Sequence, residues 1–72
     1  MSESEANALK RRFSPVLMNI PGVCGVGVER SDGDFVVVVH LGVNDPAIRK
    51  RLPTDLDGQR YKVIVSGPYT KF

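Results

Sequence analysis

Val23-Cys-Gly-Val-Gly-Val-Glu-Arg30 and Phe35-Val-Val-Val-Val-His-Leu41, separated by Ser31-Asp-Gly-Asp34, decide the fold of this 72-residue chain. Two runs rich in β-branched residues around an Asp-Gly pair predict a β-hairpin. With Asp32-Gly33 as a two-residue type I′ loop, residues paired across the ladder have numbers adding to 65. Cys24, Val26 and Val28 then face Leu41, Val39 and Val37, while Gly25, Gly27 and Glu29 lie opposite His40, Val38 and Val36. A three-residue loop bulged at Gly33 would shift the sum to 64 and take Phe35 and Leu41 off the face of Val26 and Val28. The first register makes the better core and is the one expected.

Upstream, Ala6, Leu9, Phe13, Leu17 and Ile20 recur at spacings of three or four and predict an α-helix over residues 4–20. Ser2 with Glu5 fits a capping box. Pro15 would clash with the Arg11 carbonyl, so a kink or a restart at Ser14-Pro15 is expected, and residues 1–8 could alternatively be a frayed tail. Downstream, Asn44-Asp45-Pro46 opens a short helix through Ala47, Ile48 and Leu52 that Pro53 stops. After a polar turn ending in Asp57-Gly58, Arg60 to Ser66 alternates as a third strand, with Tyr61, Val63 and Val65 on one side and Lys62 and Ile64 on the other. Ser66-Gly67-Pro68 breaks it, and Tyr69 to Phe72 reads as a short tail. The order α-β-β-α-β implies an α+β two-layer sandwich: a small three-stranded sheet with both helices on one face.

Length allows one small domain over residues 1–72 and no more. A chain this short seldom builds a large core, so a partner surface is a natural supplement. With 42% hydrophobic and 25% charged residues the composition is that of a globular domain, not of a disordered or collagenous chain. The longest apolar stretch, Phe35 to Leu41, falls far short of the roughly 20 residues of a spanning helix. The acidic start Met1-Ser-Glu-Ser-Glu5 does not resemble a secretory signal, and a cytoplasmic setting is expected. A net charge of +2 is too small to imply nucleic acid by itself.

One cysteine and one histidine bound the chemistry. They cannot supply a disulfide or a metal cluster, and in the expected register Cys24 and His40 leave opposite sides of the sheet, which defeats a thiol–imidazole nucleophile. A buried structural Cys24 is the expectation. His40 is read as a satisfied, partly buried histidine or as part of an interface. Asp55, Asp57 and Gly58 start like a calcium loop, but Arg60 and Ser66 stand where its glycine and glutamate belong, leaving a solvated turn. Gly22, Gly25 and Gly27 lack the strand-to-helix context of a phosphate cradle and suggest instead close approach of another backbone or side chain. Two basic triplets, Lys10-Arg11-Arg12 and Arg49-Lys50-Arg51, each fall near the end of an expected helix, where cations offset the dipole. An anion site at Arg11, Arg12, Arg49 and Arg51 is the competing reading. No cofactor is implied.

The run Ile20-Pro-Gly-Val-Cys-Gly-Val-Gly-Val28 after an amphipathic helix resembles the helix-to-strand passage of ferredoxin-like modules, without their leading strand and without the paired cysteines of the heavy-metal-associated kind. Together with Leu52-Pro53, Leu56-x-Gly58 and Val63-x-Val65-x-Gly67 it is similar to small bacterial domains that also occur attached to trypsin-like peptidases. That similarity implies an accessory or interaction domain, and a propeptide-like peptidase inhibitor as a third possibility.

The most informative feature is Phe35-Val-Val-Val-Val39, apolar on both parities where a half-exposed strand should alternate. Helices can cover Phe35, Val37 and Val39, which leaves Val36, Val38 and Ile64 as a second apolar face. The expectation is a non-enzymatic module that binds protein or self-associates through Val36, Val38, His40 and Ile64, with Gly25 and Gly27 permitting close approach.

Overall fold

A computed structural model describes residues 1–65. Helix α1 (Glu3–Met18) is followed by strands β1 (Val23–Ser31) and β2 (Asp34–Leu41), helix α2 (Pro46–Arg51) and strand β3 (Tyr61–Val65). The α+β order is the one expected. Ser66 and the Tyr69–Phe72 tail expected at the C-terminal end lie outside the described residues.

The sheet order is β1-β2-β3, with β1 and β2 antiparallel and β2 and β3 parallel, so the strand of valines is central. The hairpin closes at Asp32 (φ 53°) and Gly33 (φ 79°), both left-handed as a type I′ turn requires. From Ser31↔Asp34 to Gly25↔His40 the register is the expected one. It breaks beyond Gly25, where Val23 takes the place opposite Leu41 that Cys24 was expected to hold. Cys24 is the extra residue of a β-bulge and is exposed, so it is not a core thiol; its Sγ–H donates to the His40 carbonyl at 3.4 Å. The exchange places the larger aliphatic Val23, 8% exposed, against the core.

Helix α1 starts at the predicted capping box: Glu5 N–H donates to Ser2 Oγ at 3.1 Å and Ser2 N–H to Glu5 Oε1 at 2.9 Å. It runs without a restart through Pro15. The Arg11 carbonyl, which loses its amide partner there, belongs to an exposed residue, and Ser14 Oγ–H donates back to the Lys10 carbonyl at 2.6 Å rather than capping a new helix. Because the helix continues to Met18, Lys10-Arg11-Arg12 sits mid-helix and its last turn holds no basic residue. Residues 1–8 are no frayed tail, since Ala6 is fully buried and the Met1 carbonyl accepts from Phe35 N–H at 3.1 Å. The Met1 ammonium also pairs with Asp34, tying the helix start to the hairpin tip.

Leu9 and Leu17 of α1 pack on Val23, Val37, Val39, Leu41 and Leu56, with Phe13, Ile20, Val26, Tyr61, Val63 and Val65 around them. Phe35, expected in this layer, is half-buried and is not among the residues packed on this cluster. Asp45 caps α2 by accepting from Ala47 N–H at 2.9 Å, with Pro46 in the first turn and Arg49, Lys50 and Arg51 in the last. Its Ile48 packs towards the same core and over Gly22. Gly22 has φ +96°, which favours glycine, and a Cβ there would stand 2.2 Å from Ile48 Cδ1 and displace that side chain. Between α2 and β3, Asp57 (φ 55°) and Gly58 (φ 81°) form a second left-handed Asp-Gly turn, closed by mutual backbone hydrogen bonds of Leu56 and Gln59 at 2.9 and 3.0 Å. This turn drives Leu56 to full burial.

Candidate interaction surface: the helix-free side of the sheet

The alternation of a pleated sheet puts Gly25, Gly27 and Glu29 of β1, Val36, Val38 and His40 of β2, and Lys62 and Ile64 of β3 on the side away from the helices. The structure therefore brings together all six residues expected to form an interface. It does not leave them equally accessible. Val38 is only 2% exposed, whereas Val36, His40 and Ile64 are half-buried. Val38 is the floor of this face and Val36 and Ile64 are its apolar surface.

Two side-chain arrangements shape the face. His40 stands opposite Gly25, and its Cβ and Nε2 lie 3.9 Å from where Cβ atoms of Gly25 and Gly27 would be, so its imidazole occupies the space those glycines leave. The close approach that the two glycines suggested is thus filled within the chain. Lys62 Nζ reaches Glu29 Oε1 at 2.8 Å. These residues belong to the two outer strands, level with Val38 and Val36 respectively, so the ion pair crosses over the central strand and roofs it. With both partners over 40% exposed, the pair contributes little stability, about 0.2–1 kcal/mol. It sets a polar link between the outer strands on the side where Val36 and Val38 lie.

Sequence reasoning missed this strut. The position of β3 beside β2 was not readable, and without it Glu29 and Lys62 have no reason to meet.

The other candidate chemistry is dispersed or engaged. Arg12 Nη1 donates to Asp57 Oδ2 at 3.0 Å and its guanidinium carbon lies 5.3 Å from the Phe13 ring centre, while Arg11 projects separately on α1 and Arg49 and Arg51 lie on α2. Asp55 Oδ1 accepts from Gly58 N–H at 3.2 Å. The carboxylates that resembled a calcium loop therefore shape a turn and pair with α1. Tyr61 Oη–H donates to the Pro53 carbonyl, and burial together with the nearby Asp55 charge pushes its phenol pKa above the usual value. A groove of about 290 Å³ between α1 and the second Asp-Gly turn is lined by Met1, Glu5, Leu9, Arg12, Asp57 and Gln59, and its charged lip is the Arg12–Asp57 pair.

Among the described residues no helix is long and apolar enough to cross a membrane. Comparison with protein families, with curated proteins and with solved structures finds no match.

Proposed function

We propose that this chain is a non-enzymatic protein-interaction module that self-associates through its sheet. The observation that carries this reading is a central strand apolar on both faces, Val36-Val-Val-Val39, in a sheet on which α1 packs from one side. Three strands and a handful of fully buried side chains make a small core, and a second copy would remove further apolar surface from water at about 25 cal/mol per Å². Val38, 2% exposed, is not a position at which a charge can test association, because Val38→Asp would strand a buried carboxylate and unfold the chain. The test is solution mass against concentration: a reversible rise above the monomer mass supports the module, and a monomer at every concentration refutes it.

Anion binding is the weaker alternative, because Arg12 is already engaged by Asp57 and Phe13. No mobility shift of a mixed DNA and RNA pool at low salt is expected.

A further inference from the structure

We propose that the copies join edge to edge through β1, antiparallel about a two-fold axis at Gly27, fusing two three-stranded sheets into one of six. The inference rests on the reading of a self-associating chain and specifies its contact. Among the described residues, strand β1 is the longest, nine residues, and lies at the sheet margin with only β2 beside it. Its hydrogen-bonding parity follows from Phe35, whose N–H turns away from β1 to the Met1 carbonyl. Antiparallel ladders alternate, so Asp34, Val36, Val38 and His40 bond to β1 at Ser31, Glu29, Gly27 and Gly25. The N–H and C=O groups of Val26, Val28 and Arg30 therefore point outward and await a partner strand.

A second copy of β1 meets these groups in one register better than in its neighbours. With the axis at Gly27, the middle of Val23–Ser31, Gly25 to Glu29 pair with the same segment of the second copy, and the bulged Cys24 falls at the margin opposite Arg30 rather than beside the axis. Val26 then forms hydrogen-bonded pairs with Val28 of the second copy, joining two half-buried valines on the helix side. Gly27 meets Gly27, and Glu29 meets Gly25, beside which His40 lies. No like charges stand opposite one another. Moving the axis to Val28 would set Arg30 against Val26, and moving it to Val26 would set Val28 against the bulged Cys24. The helix-free faces of the two copies become continuous, while the Glu29–Lys62 struts stay in water.

Val28→Pro removes an outward N–H and leaves the β1–β2 ladder bonds in place. It should raise the dissociation constant measured by sedimentation at least tenfold, whereas Ile64→Lys on the far strand should change it less than twofold. Because the proline variant could fail to fold, cross-linking supplies an independent reading. In a Cys24→Ser background, Gly27→Cys sets two thiols at a non-hydrogen-bonded pair with Cα atoms about 4.5 Å apart, within disulfide reach. Gly25→Cys, offset by four residues, sets them about 13 Å apart. Both positions accommodate a Cβ at ordinary contact with His40. Under oxidised glutathione, Gly27→Cys should form covalent dimer at least tenfold faster than Gly25→Cys. An oligomer that survives Val28→Pro, dissociates on Ile64→Lys and cross-links equally at both positions overturns the edge contact and leaves self-association standing. A monomer at every concentration overturns both.

Discussion

Gly22 and Gly33 both hold left-handed backbone, yet they differ in what a side chain would meet. A Cβ at Gly33 has nothing within 4 Å, so Gly33→Ala should lose only the backbone preference, about 1–2 kcal/mol. Gly22→Ala must in addition displace Ile48 and should show the larger drop in urea midpoint. Asp34 gives a pH dependence with a definite sign. The Met1 ammonium and the Phe35 N–H hold its carboxyl below the usual range, so the folded state binds that proton more weakly than the unfolded chain. The resulting stability is present above the unfolded pKa, near 3.9, and fades as pH falls through the folded value. Thermal scans between pH 6 and pH 2.5 should show Asp34→Asn losing less stability on acidification than the parent. Some residues were legible at this scale and some were not. Asp32-Gly33 announced its turn because few other pairs accept two left-handed residues in succession. Cys24 misled, because a bulge depends on whether Val23 or Cys24 fills the core better, a choice settled only once α1 and Leu41 are in place.

At the scale of elements, α1 shows how local and tertiary signals divide the work. Its start was written in Ser2 and Glu5, and Ser2→Ala, which removes the side chain accepting from Glu5 N–H, should lower stability by about 1 kcal/mol in a denaturant titration. Its passage through Pro15 was not legible. Leu17, fully buried beyond the proline, gains enough from packing to outweigh one missing hydrogen bond, and the exposed Arg11 carbonyl can turn to water. Leu17→Ala should therefore lose about 2–5 kcal/mol, far more than the local helix preference near a proline would suggest. Strand β3 was legible as a strand from the alternation of Tyr61, Val63 and Val65, and illegible in place. Parallel pairing with β2 depends on where α2 returns the chain, and the anchors of that return, Ile48 on Gly22 and the burial of Leu56, join residues distant in sequence.

Across the whole molecule, the five apolar residues from Phe35 to Val39 set the organisation. A central strand needs cover on both faces, and α1 supplies one. On the other, Val38 is nearly fully buried while Val36 and Ile64 keep part of their surface in water, with His40 beside the glycines and the Glu29–Lys62 pair linking the outer strands. The six interface residues named from sequence do share a face, because hairpin register fixes parity. Their unequal burial was hidden, since it depends on a strand order that only the fold defines. That burial shifts the expected self-contact from flat stacking to the edge of β1. The most direct test is sedimentation equilibrium of the full chain from micromolar to millimolar concentration. The proposal predicts a mass that climbs reversibly from 7.9 kDa towards the dimer and reverts on dilution. A mass fixed at the monomer throughout that range would contradict it.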